Sequence, residues 1–436
     1  MIESIQSQGM LFKEPHLAGE RRADDIFPAH ANGIPLARDR WLIVCSTRGY
    51  QGVDDERSII YQVRKDTPDG TILREGWIAR SIFDWDPLGK GEKLHKEHGH
   101  AVAFGVPKGA FIGGRPAPQE NVFVIKWRVL GKQVQSDGRV AHGHDAEKLR
   151  TGQGVEWLQC RLNHTGDDLD ILQPAAPLRQ KGFETGERFC PLAVAWMNQT
   201  FVPAVPFNAD RTEWADVNHF DGGRIAPLKY RFNPKLGLYE WVQIGPMVGD
   251  ASQKLSEASL AQFGESWIIA ARSDEGLGAI RWMRSDDPFK TLPEPVTGDV
   301  VPKSPLAVFA GPDGVLRLIT GDSSVSPHRN ARDPLYLWDV DVANGFKAVN
   351  RKVVFDSVAA GLPIRVESVP RVDMGKLLPH MGGRVQYVLH RVRTKSVNFT
   401  ANTKAVVNDA EKACSGIYFA RVIHDRDQPA AWDFLG

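Results

Sequence analysis

Three stretches carry side chains able to do acid–base chemistry. In "STRGYQGVDDERSIIY", Arg48 leads into Asp54, Asp55, Glu56 and Arg57, a charged loop between the apolar "WLIVC" and the strand-like "RSIIYQV". Glu257 stands near the start of "SEASLAQFGESWIIAARSDEG", which also holds Arg272 and Asp274. Glu367 precedes "SVPRVDMGK". Carboxylates facing each other across a cleft suit cleavage of a glycosidic bond: one protonates the leaving oxygen, the other acts as nucleophile or base. Arg115, Arg272, Arg332 and Arg391 would suit an acidic sugar, because a guanidinium grips a carboxylate with two parallel hydrogen bonds.

Histidines offer a second chemistry. His98 and His100 in "HKEHGHAVAFG" are two apart, which on a regular strand places both on one face. Either could remove a proton beside a uronate carboxylate, with an arginine neutralising that carboxylate. His390 adjoins Arg391. His95, His98 and His100, like His142 and His144, have metal-like spacing, but no paired cysteine or HExxH pattern accompanies them. Each choice has a plainer structural counterpart. Asp54 and Asp55 could be a solvated hairpin turn, Glu257 a strand cap, and Arg272 and Arg332 ion-pair ties between sheets.

These residues must be positioned by strands. Short runs rich in Val, Ile, Trp, Phe and Tyr recur, broken by Gly, Pro, Asp and Asn, and long helical periodicity is almost absent. Six segments repeat a plan: a short strand of small or β-branched residues, a turn, then a more apolar strand. They start near positions 33, 100, 190, 256, 304 and 367. Third strands follow, such as "NVFVIKWRVL" and "DPLYLWDVD", and fourth strands such as "RKVVFDS". The pattern predicts an all-β, six-bladed β-propeller with four-stranded antiparallel blades. Two stacked β-sandwiches are the competing arrangement. In a propeller the start of strand one and the end of strand two share a face near the axis. That rule gathers Arg48, Asp54, Asp55, Arg57, His98, His100, Arg115, Glu257, Arg272, Arg332, Glu367, His390 and Arg391 at one mouth. Trp127, Trp241, Trp267 and Trp282 lie within strands and read as core.

Residues 1–30 read as an irregular N-terminal extension and 31–436 as one propeller, with inserted loops at 131–154 and 395–413. Lysine plus arginine total 54 and aspartate plus glutamate 53, which points away from a nucleic-acid or membrane partner. The partner expected is a carbohydrate substrate; the sequence leaves oligomeric state open. The chemistry requires no cofactor, and a structural metal ion is left open. The four cysteines, Cys45, Cys160, Cys190 and Cys414, are widely spaced and read as buried free thiols. No secretory leader and no run of about 18 apolar residues is seen, so a cytoplasmic location is expected unless a leader was removed.

The chain resembles the sialidase superfamily of six-bladed propellers over most of its length. "GIPLARDRWLIVCSTRG" is similar to the family's first blade, whose acidic loop supplies an acid/base aspartate; the resemblance assigns that role to Asp54 or Asp55. "SEASLAQFGESWIIAARSDEG" is similar to the blade bearing the family's glutamate, which implies Glu257, with Arg272 near the second arginine of its carboxylate-binding triad. "HRNARDPLYLWDVD" implies Arg332 as the third. Two departures stand out: Gly33-Ile34-Pro35 replaces the family's opening Arg-Ile-Pro, and Glu367 stands about where the nucleophilic tyrosine belongs. The resemblance therefore implies a sialidase-like glycoside hydrolase other than a true sialidase. "HKEHGHAVAFG" is more weakly similar to blade openings of propeller polysaccharide lyases. A lyase and a non-catalytic sugar-binding propeller remain the alternatives.

Overall fold

The computed structural model describes residues 1–12, 26–49, 56–86, 91, 94–105, 111–112, 115–116, 122–134, 151–177, 205–207, 212–220, 223–235, 238–276, 278–302, 304–328, 332–363, 368–396 and 409–430. The apolar runs form strands because β-branched and aromatic side chains pack well on a pleated surface. They assemble antiparallel into six four-stranded blades around an axis.

Blade one comprises Ile26–Ala37, Arg40–Gly49, Glu56–Lys65 and Ile72–Ala79. Blade two comprises Leu94–Gly105, Val122–Gln133, Thr151–Leu162 and Leu169–Pro177. The two merge into one nine-stranded sheet, through the pairing of Arg57 with His98 and a short strand, Ile82–Trp85, laid on blade two. Blade three uses Val205–Pro206, Glu213–Phe220, Arg224–Asn233 and Leu238–Ile244. Blade four uses Leu255–Phe263, Ser266–Ser273, Ile280–Ser285 and Val296–Thr297. Blade five uses Ala307–Ala310, Leu316–Thr320, Leu335–Asp341 and Lys347–Phe355.

Blade six shows how the ring closes. Ser368–Leu377, Met381–Ser396 and Gly416–Ala430 come from the C-terminal part of the chain, and the fourth strand, Ile2–Phe12, from its beginning. Residues 2–12, expected to be irregular, thus form an outer strand whose Ile5 pairs with Val422. The Met1 amino group meets Asp425 at 2.6 Å. The expected loops are narrower than 131–154 and 395–413. Strands run to Gln133 and Ser396 and resume at Thr151, and one helical turn, Asp409–Ala413, precedes the last strand. In blade two the second strand is Val122–Gln133 rather than "FIGGRP", which makes only a small hairpin between Phe111–Ile112 and Arg115–Pro116.

Burial follows strand position. In blade four the second strand, Ser266–Ser273, is buried at seven of its eight residues, because blades cover both of its faces. The outer strand of blade five, Lys347–Phe355, is mostly exposed or half-buried. Six hydrophobic clusters fill the six seams between neighbouring blades. The cluster of Ala31, Ile43, Cys45, Leu378 and Leu389 joins blade six to blade one and seals the ring with apolar contact. Trp127, Trp241, Trp267 and Trp282 belong to these seams. Cys45, Cys160 and Cys414 are free and buried; Cys190 lies outside the described residues.

Candidate functional site

The first strands of blades one, two, four and six share one irregularity. Each carries an extra residue relative to its partner strand: between Ala29 and Asn32, Gly99 and Val102, Ser256 and Ser259, and Asp373 and Lys376. The bulged residues are His30, His100, Glu257 and Met374, with φ of 51°, 54°, 43° and 58°. Side-chain-bearing residues adopt this left-handed conformation at a cost of about 1–2 kcal/mol each. Such strain persists where the surrounding structure holds it, and a bulge re-aims the side chain it carries. A small residue follows each one: Ala31, Ala101, Ala258 and Gly375. A Cβ on Gly375 would stand 2.6 Å from the Ile319 side chain.

Beside three of the four bulges the partner strand supplies a cation in the same register; in blade one Ser46 stands there. Arg272 pairs with Ser256, Arg391 with Asp373, and Arg128 with Gly99. From these positions a chain of charged and aromatic groups runs through blades four, five, six, one and two. Glu257 forms an ion pair with Arg272, whose Nε also reaches Asp274 at 2.9 Å. The charges of Arg332 and Asp373 are felt at Glu257. Arg332 donates from Nη1 to Asp373 at 2.5 Å. Arg391 donates to the same carboxylate through Nε at 2.8 Å and Nη2 at 3.0 Å. Its Nη1 lies 2.8 Å from Nε2 of His30. A guanidinium has no lone pair to offer, so this nitrogen of His30 is the acceptor. His30 in turn stacks on His100, ring centroids 4.0 Å apart.

Electrostatics grade along this chain. Burial pushes the Glu257 carboxyl up, and Arg272 and Arg332 pull it back without cancelling the rise. Burial would lower the Arg272 guanidinium, but Glu257 and Asp274 outweigh it, so Arg272 stays firmly charged. Asp274 is 45% exposed and Glu257 13%, whereas Asp373 is fully buried. The blade-four end is therefore the open end.

The structure brings Glu257, Arg272, Arg332, Arg391 and His100 into one constellation. It places His98 and His390 elsewhere. His98 hydrogen-bonds the Arg80 carbonyl at 3.0 Å and sits edge-on to Trp127. Burial, aided by the Lys96 charge, pushes its pKa down to about 3. The left-handed backbone at His100 breaks the alternation that would have put both rings on one face. His390 is buried against Phe355 and Tyr418, and burial lowers it to about 3 as well. Asp54, Asp55 and Glu367 lie outside the described residues, and so do the side chains of Arg48, Arg57 and Arg115. Sequence reading missed Asp373 and His30. The recurring pair of a bulky residue before a small one, in "HANG", "HAVA", "EASL" and "MGKL", would have aligned the inner strands and exposed both.

Among the described residues, His328, Asp333 and Asp356 of blade five form a group spaced for a metal ion. Their atoms already serve one another and the backbone. His328 Nε2 contacts Asp356 at 3.0 and 3.1 Å, Asp356 accepts the Val358 and Ala359 amides, and Asp333 accepts the Ser357 amide and hydroxyl. The group is explained as a loop brace. His95 pairs with Glu97 at 3.2 Å instead of sharing a ligand set with His98 and His100.

Neither a protein-family model nor a curated protein matches the sequence. Solved structures do match the fold. A protein of unknown function from Dyadobacter fermentans superposes with a TM-score of 0.56 at 9% identity, covering 99% of each chain. A sialidase from Trypanosoma rangeli superposes with a TM-score of 0.51 at 12% identity, covering 95% of this chain and 58% of the sialidase. The fold is thus a six-bladed propeller, an architecture shared with that sialidase. No described helix is long and apolar enough to cross a membrane.

Proposed function

We propose that this protein is a glycoside hydrolase whose site lies at the bulged inner strands. One observation carries the reading: Glu257 is held on a strained bulge, largely withdrawn from water, in an ion pair with Arg272 and within the field of Arg332. That environment suits a carboxyl group that must change its charge or bonding during reaction. Glu257 acts as nucleophile or base. Asp54 or Asp55, from the acidic loop of blade one, protonates the leaving oxygen. Arg272 and Arg332 orient Glu257 and the sugar. That a trypanosomal sialidase shares the propeller is consistent with this reading.

The test is a panel of aryl glycosides, neutral and acidic, assayed with the wild-type chain, Glu257→Gln and Asp55→Asn. Turnover that both substitutions abolish, with binding retained, supports the reading. Binding without turnover in the wild type would leave a sugar-binding propeller instead.

The His30–His100 stack beside Arg391 favours a second reading, a polysaccharide lyase with His100 as base. It expects an ultraviolet-absorbing unsaturated product, lost in His100→Ala and retained in Glu257→Gln.

A further inference from the structure

We infer that the site takes a neutral glycoside and discriminates against sugars bearing a carboxylate. The inference deepens the hydrolase reading and rests on it for the location of the site. Its basis is the partnership of the arginines. Arg272 is engaged by Glu257 and Asp274, and Arg332 and Arg391 are both engaged by Asp373. Three guanidiniums thus meet three carboxylates. Arg128, at the equivalent place in blade two, is buried.

A sugar carboxylate would have to displace one of these internal anions from its guanidinium. Asp373 is fully buried and cannot turn out to water, and Glu257 is 13% exposed. A displaced carboxylate would remain desolvated and uncompensated, which is more costly than leaving the pair intact. A neutral hydroxyl makes no such demand. It donates to a spare carboxylate lone pair and accepts from a spare guanidinium N–H, so it can bridge an ion pair without breaking it. A sugar ring presents several hydroxyls in that form. The weak point is Asp274, which is 45% exposed and free to swing away from Arg272.

The experiment uses the full chain and matched aryl glycosides that differ only in CH2OH or carboxylate at the same carbon, with neutral pentosides added. The expected result is a neutral-over-acidic preference in kcat/KM of at least about 30-fold, the low end of the cost of leaving a buried charge unpaired. Preference for the acidic member overturns the inference. Asp373→Asn frees the partly exposed Arg332 guanidinium and should move the ratio at least about tenfold toward the acidic member, the effect of one unpaired charge. Asp274→Asn, at an exposed position, should move it the same way if Asp373→Asn does not fold. A ratio unmoved by Asp274→Asn in a folded protein also overturns it. Binding of neutral and uronate oligosaccharides, measured by calorimetry, separates the two proposals. Neutral binding without any turnover defeats the hydrolase reading and leaves this inference standing. Stronger uronate binding, or no binding of either, defeats the inference.

Discussion

Blade four and the seam between blades six and one use the same parts in opposite surroundings. Both place an arginine beside a bulged inner strand and pair it with a carboxylate. In blade four, Glu257 and Asp274 keep some contact with water. In the seam, Asp373 and Arg391 are enclosed, and His30 caps the guanidinium. An enclosed pair is a clamp, because neither partner can be removed without stranding the other. A half-open pair can yield to a substrate. Under the proposed hydrolase reading, the difference would put reaction at blade four and rigidity in the seam.

The largest effect that would break this contrast comes from Asp373→Asn. It strands Arg391 and should lower stability by about 3–5 kcal/mol, read from denaturant unfolding. The counterpart Asp274→Asn should cost less than about 1 kcal/mol, as exposed pairs do. Equal losses would erase the distinction between the two regions. Next in size is Glu257→Gln, which should reduce kcat by about 10²–10⁴ while leaving sugar binding in place, the range for loss of an acid–base group.

Acid titration sharpens the contrast between the Glu257 carboxyl and the buried histidines. His98 and His390 are neutral when folded, with values lowered from 6.5 to about 3. The unfolded chain takes up their protons first, so the stability they contribute is complete above pH 6.5 and is lost as pH falls toward about 3. Glu257 has the opposite sign. Its carboxyl is raised from 4.5, so its contribution is complete below that pH and lost as pH rises through the folded value. Melting curves across pH should show His390→Gln blunting the acid-side loss and Glu257→Gln removing the loss on the other side. The smallest effect concerns strain. Glu257→Gly should be more stable than Glu257→Gln by about 1 kcal/mol, since glycine accepts the left-handed backbone freely. A Glu257→Gly protein no more stable than Glu257→Gln would mean the bulge stores no strain.

Much of the frame was legible in the residue order. Apolar runs such as "WIIAA" and "LRLIT" read as strands buried on both faces, and both are. Glu257, Arg272 and Arg332 could be singled out because they stand at the ends of such runs. Asp373 could not, because it lies within a strand, between the Glu367 and Arg391 that were singled out, and the reading carried no register for a bulge. His30 fell at the edge of a segment taken as irregular. His98 and His390 looked the same as His100 in sequence, since nothing local says whether a histidine meets another histidine, a tryptophan or a phenylalanine.

The amino-acid order by itself determined the strand periodicity, the number of repeats and the kinds of charge available, because these depend on neighbours within a few residues. Only the tertiary structure decided which charges meet. His30 and Arg391 touch across 361 positions, and the strand Ile2–Phe12 closes a blade begun at Ser368. One extra residue in a strand then turned the side chains that follow it. Such outcomes follow from ring closure and local backbone geometry together, and no short window of sequence contains both.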